Sequence, residues 1–115
     1  FFFTSFIILY MRKFSSIITV TFPSEPSYKE WYKTIENFFL KDEKITLFLK
    51  QNGMTKWTMS KTDDVEPVKV VIIMEYINKK SFEQCQSLFL KYMPNVQNLI
   101  YKSNVTRGEV IFEQI

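Results

Sequence analysis

The chain has 115 residues, of which 46% are hydrophobic, 17% aromatic and 23% charged, a balance that suits one globular domain and argues against disorder. It has no histidine and a single cysteine, Cys85, which excludes imidazole bases, Ser-His and Cys-His nucleophile pairs, most zinc or haem ligand sets and any intrachain disulfide. The net charge of +3 rests almost wholly on lysine, with Arg12 and Arg107 the only arginines, and the cations are interleaved with acids as in Lys41-Asp42-Glu43-Lys44. No basic stripe results, so nucleic acid is not an expected partner. One cysteine without a mate points to a reducing compartment, the cytoplasm.

Residues 1–10 form an apolar run that stops at Met11-Arg12-Lys13. A secretory signal carries its cations before the apolar run, and here they follow it. A spanning helix over residues 1–22 would drag Arg12 and Lys13 through the membrane centre at about 2.5–3.5 kcal/mol each, against a return of only about 0.3–0.6 per strong apolar residue. No stable membrane span is expected. Met11 reads as the natural start, the alternatives for residues 1–10 being a short membrane-touching tail or an extra edge strand or packed arm; residues 1–14 read as a segment outside the core, and residues 15–115 as one domain.

The first regular element is a strand over 16–22, with Ile18, Val20 and Phe22 on one side and Ile17, Thr19 and Thr21 on the other. Pro23 and Pro26 end it. Ser27 and Glu30 have the spacing of a capping box, and Tyr28, Trp31, Ile35, Phe38 and Phe39 then recur at helical intervals. Lys41–Lys44 interrupts that stripe, and a second short helix with Ile45, Phe48 and Leu49 stops at Asn52-Gly53, where glycine suits a left-handed cap. Strands are predicted over 54–61, with Trp57 and Met59 on one face, and over 68–77. Ser81-Phe-Glu-Gln84 reads as another capping box opening a helix whose stripe is Phe82, Cys85, Leu88, Phe89 and Tyr92. A short extra helix is expected within 95–104, then a turn at Arg107-Gly108 and a last strand over 109–115.

Strand, helix, strand, strand, helix, strand is the order of two split βαβ units, an α+β arrangement with a four-stranded antiparallel sheet and both helices on one face. The other face should then be polar in a monomer. Instead Val71, Ile73 and Ile77 oppose Val70, Ile72 and Met74 on the central strand, Ile17 opposes Ile18, and Ile111 and Ile115 oppose Val110 and Phe112. About six apolar side chains would lie bare, a patch that a second copy of the chain can cover sheet against sheet. A homodimer through Ile17, Val71, Ile73 and Ile111 is therefore expected.

The strand ending in Phe22, the early helix with Glu30-Trp31, and the passage from Lys61-Thr-Asp-Asp64 and Pro67 into Val68-Lys-Val-Val-Ile-Ile are carried by the whole span from about Ser15 to Ile115. In these features the chain resembles the dimeric α+β barrel (ferredoxin-like) superfamily, which includes antibiotic-biosynthesis-monooxygenase-like proteins and related small families. The resemblance implies a cleft between helices and sheet for a small, often aromatic molecule, with cofactor-independent oxygenation or isomerisation in some members. The haem-degrading branch leans on histidine, and the chain has none.

Tyr28, Trp31, Trp57 and Tyr76 are the aromatics expected to line such a cleft, although the same spacing also describes ordinary core. Glu75, the sole acid within its strand, would have its pKa raised by desolvation if it faced the cleft; the plainer alternative is a strand-end charge reaching solvent. Asp63, Asp64 and Glu66 lack the spaced oxygen ligands of a calcium loop and read as a solvated turn, so no metal is expected, and no cofactor either. Cys85, with apolar neighbours and no adjacent base, reads as a buried filler. RNA recognition would put stacking aromatics on the central strands, where this chain has Val70-Val-Ile-Ile-Met74. The sequence names no catalytic residue. Its function reads as a small homodimeric binder of an apolar or aromatic molecule, the alternative being a non-catalytic regulatory or assembly module acting through its sheet face.

Overall fold

A computed structural model describes residues 12–63 and 67–114. The proposed start at Met11 and the acids Asp64 and Glu66 lie outside the described residues. Four strands form one antiparallel sheet in the order β2-β3-β1-β4: β1 is Phe14–Phe22, β2 Met54–Lys61, β3 Val68–Tyr76 and β4 Lys102–Glu109. Three helices join them: α1 (Glu25–Ile35), α2 (Glu43–Gln51) and α3 (Lys79–Tyr92). The architecture is the expected α+β ferredoxin-like one. Among the described residues no helix is long and apolar enough to cross a membrane.

The central strands follow the period of two that their sequences set. Phe14, Ser16, Val20 and Phe22 of β1, with Val68, Val70, Ile72, Met74 and Tyr76 of β3, are buried on the helical side. β1 begins earlier than its alternation suggested, because Phe14 is itself core and lies 4.9 Å from the Phe82 ring. On the open side the residues in register are Ile17 beside Ile73, Thr19 beside Val71, and Ser15 beside Glu75, with Thr58, Ser60, Asn104 and Thr106 next to them.

Three expectations need correction. α1 begins at Glu25, and its cap is Ser24, whose Oγ accepts from the Ser27 N–H at 3.3 Å; Pro26 sits in the first turn, where its missing N–H costs nothing. α3 is likewise capped three residues early, by Asn78, whose Oδ1 accepts from the Ser81 N–H at 2.8 Å. The last strand is β4 at 102–109, so Arg107 and Gly108 lie within the ladder opposite Ser16 and Ser15. The ladder continues only as far as Val110, whose N–H donates to the Lys13 carbonyl at 2.8 Å. Ile111 and Phe112 therefore lie beyond the sheet and stand exposed, and the aliphatic patch on the open side narrows from about six residues to Ile17, Val71 and Ile73.

Between α1 and α2 the chain makes a π-helical turn, Glu36–Leu40, in which the Lys41 N–H donates to the Glu36 carbonyl at 2.9 Å. It inserts one residue per turn relative to an α-helix. Asp42 then caps α2, its Oδ1 accepting from the Lys44 and Ile45 N–H groups.

Candidate functional site

The helical side of the sheet is not completely filled. A cavity of about 150 Å³ lies between β1, β3 and β4 below and α1, the π turn, α3 and the 93–100 segment above. Its floor is Ile18, Val20, Ile72, Met74 and Val105, and its roof includes Trp31, Ile35, Phe38, Phe39, Phe89 and Leu90. The space corresponds to one aromatic ring with a short substituent. Large rings make it hard to close. Phe39 touches Trp57, Phe89 and Tyr92 at centroid distances of 5.9, 5.3 and 5.2 Å, and Trp57 meets Phe89 edge-on at 5.5 Å. Thr34 and Ile35 at the end of α1 and Phe38 and Phe39 of the π turn all reach this wall.

Polar groups on the wall are few: Thr34, Gln86, Tyr92, Ser103, the Trp57 indole and Arg107. The Trp57 Nε1 atom is buried and has no hydrogen-bond partner among the described residues. Such orphaned donors are uncommon and cost about 1–3 kcal/mol of desolvation. No carboxylate, lysine or thiol of the described residues lines the cavity.

The sequence-derived site residues are distributed as follows. Trp31 and Trp57 both line the cavity. Tyr28 packs outside it on Phe22 and Trp31, with Lys61 Nζ 4.8 Å from its ring centre. Tyr76 is wholly buried in the core, 5.6 Å from Phe82, its hydroxyl directed at Met74 Sδ at 3.5 Å. Glu75 belongs to the opposite face of the sheet, because successive strand residues alternate. Arg107 joins the site unannounced, since in the sequence it reads as a turn residue, while Phe38 and Phe39, already part of the apolar stripe of the first helix, turn out to be cavity wall.

Burial pushes the Tyr76 hydroxyl pKa well above its ordinary value of 10, and the neighbouring Cys85 adds to the shift while Arg107 opposes it. A phenol with a raised folded-state pKa contributes its stability fully below pH 10, and that stability is lost as pH rises from there toward the folded value. Urea unfolding followed from pH 8 to 11 should show a loss that begins near pH 9, from the Cys85 thiol, and steepens near pH 10 as the phenol contributes. Tyr76→Phe should flatten that loss; what remains should come from Cys85, whose thiol burial also drives upward.

No family model matches the sequence, and no curated protein matches it. Solved structures do. A dimeric ferredoxin-like protein from an uncultured marine organism superposes with a TM-score of 0.82 at 21% identity, covering 90% of this chain and 92% of the other. A second dimeric ferredoxin-like protein from an uncultured marine organism gives 0.75 at 22% identity, covering 90% and 99%. A monooxygenase of Streptomyces coelicolor, solved with the ligand nanaomycin D, gives 0.67 at 7% identity, covering 91% and 93%. At these identities the likeness is one of fold: the chain has the ferredoxin-like α+β fold found in dimeric ferredoxin-like and antibiotic-biosynthesis-monooxygenase-like proteins.

Proposed function

We propose that the chain acts as a cytoplasmic homodimer, paired through the open face of its sheet, and binds a small aromatic molecule in the cavity between sheet and helices. The observation that carries the ligand reading is the unfilled cavity of about 150 Å³ itself, walled mainly by aromatic and aliphatic side chains with a few polar groups among them. Burying the apolar surface of a ring-sized guest supplies most of the affinity, and a polar atom of the guest can pair with a wall group such as Thr34, Gln86 or Ser103. Ligand binding in fold relatives, such as the nanaomycin D complex, supports the same reading. With no carboxylate, lysine or thiol on the described wall, recognition is the role its chemistry supports best.

Acetophenone, a neutral one-ring ketone, is a suitable probe. Isothermal titration and thermal melting should show saturable binding, with a rise in Tm that grows with concentration. Trp57→Phe keeps a ring against Phe39 and Phe89 but removes part of the apolar wall, and should weaken binding about 5- to 10-fold. The unliganded variant should stay within about 1 kcal/mol of the parent, because losing an orphaned donor offsets the smaller ring. Absence of any saturable shift with neutral aromatics would defeat the cavity reading and favour an assembly module.

A further inference from the structure

The register of the sheet sets Trp57, Met74, Ser16 and Arg107 in one row, each opposite the next on the helical side of β2, β3, β1 and β4. Trp57 and Arg107 thus stand at opposite ends of that row, three strand spacings of roughly 4.8 Å apart, and both contribute to the cavity wall. Among the described residues Arg107 is the only charged one on that wall.

The guanidinium is held on one side and open on the other. Nε donates to the buried Ser16 hydroxyl at 3.4 Å, and the group lies 4.9 Å from the Phe82 ring, which fixes its plane. Among the described residues no carboxylate forms an ion pair with it, and Ser16 is the only side chain that takes a hydrogen bond from it. The acid nearest in sequence, Glu109, is another β4 residue of the same parity, yet it makes no ion pair with Arg107. Glu75 lies on the far face. An arginine carries five N–H donors in a planar fork that matches a carboxylate. Four of these remain for a guest.

We infer that the physiological guest is a small aromatic or apolar acid, its single carboxylate held by Arg107 and its ring held against Phe38, Phe39 and Trp31. This rests on the cavity reading above and narrows it from a neutral molecule to a monoanion. Arg107 is then the residue that sets specificity, and it does so from a position that ordinary alternation on an exposed edge strand supplies.

The test compares 3-phenylpropionate with its neutral carboxamide by isothermal titration, in the parent protein, Arg107→Gln and Arg107→Lys. The acid should bind the parent about 10- to 100-fold more tightly than the amide, and added salt should weaken the acid alone. Arg107→Gln should erase the difference between acid and amide, and Arg107→Lys should restore part of it. Equal binding of acid and amide to the parent, with both saturable, would overturn the carboxylate assignment and leave the cavity standing. A preference for the acid that survives Arg107→Gln would also overturn it. Failure of both compounds, together with failure of acetophenone, would remove the cavity reading itself.

Discussion

Replacing Gly53 by alanine should lower stability by about 2–5 kcal/mol, the sum of a left-handed backbone penalty and an overpacked contact. Gly53 joins α2 to β2 with φ +95°, where side chains are rarely tolerated. A Cβ there would lie 2.6 Å from Ser81 Cβ and 2.9 Å from Ile77 Cγ1, with Ser81 Oγ closer still. The backbone cannot simply swing away. The Gly53 N–H donates to the Lys50 carbonyl at 3.1 Å, and its own carbonyl accepts from the Ile77 N–H at 2.9 Å. Urea denaturation should show a markedly lower midpoint at unchanged m-value. The two causes separate cleanly. Gly53→Asn should be no better than Gly53→Ala, although asparagine tolerates a positive φ, whereas adding Ser81→Gly to Gly53→Ala should recover part of the loss. Parent-like stability for Gly53→Asn would mean that the contact with α3 is soft.

Ile73→Asp should abolish self-association, weakening the dimer by at least about 1000-fold, or about 4 kcal/mol. Ile73 sits mid-strand on β3 with Ile17 directly beside it on β1, and Val71 two residues away on the same face. A two-fold contact places each substitution in the interface twice, so two carboxylates would lose water for every dimer formed. Light scattering after size exclusion at about 10 µM should give a dimer for the parent and for Ile73→Val, and a monomer for Ile73→Asp. A dimer that survives Ile73→Asp would move the interface elsewhere, with the exposed segment at Ile111 and Phe112 the next place to probe. Ligand binding should persist in the monomer, because the cavity opens on the other side of the sheet.

The sheet was legible because its central strands β1 and β3 are dense in β-branched residues and bounded by Pro23 and Pro67. Trp31 and Trp57 were legible for a related reason: each falls on the apolar phase of its own element. The edge strand β4 was not. All eight of its residues are exposed, so burial imposes no strong alternation on Lys102–Glu109, while the greasier Val110-Ile-Phe112 just beyond it has the stronger strand pattern. Arg107 was lost with that strand. Both helix starts were displaced by three residues, because Ser27 and Ser81 satisfy a capping pattern that Ser24 and Asn78 fulfil in space. Ser81 is instead a buried partner of Gly53, a relation between residues 28 apart that no local pattern encodes. The row from Trp57 to Arg107 depends on three separate pairings and exists only once the sheet has assembled.

The surplus residue in Glu36–Leu40 gives the roof a degree of freedom that the floor lacks. Deleting one position there would rewind the segment and turn its phenylalanines by about 100°, yet every strand pairing beneath would be left alone. Relatives built on the same scaffold can thus remodel what they admit by gaining or dropping a single codon, without renegotiating the rest of the protein.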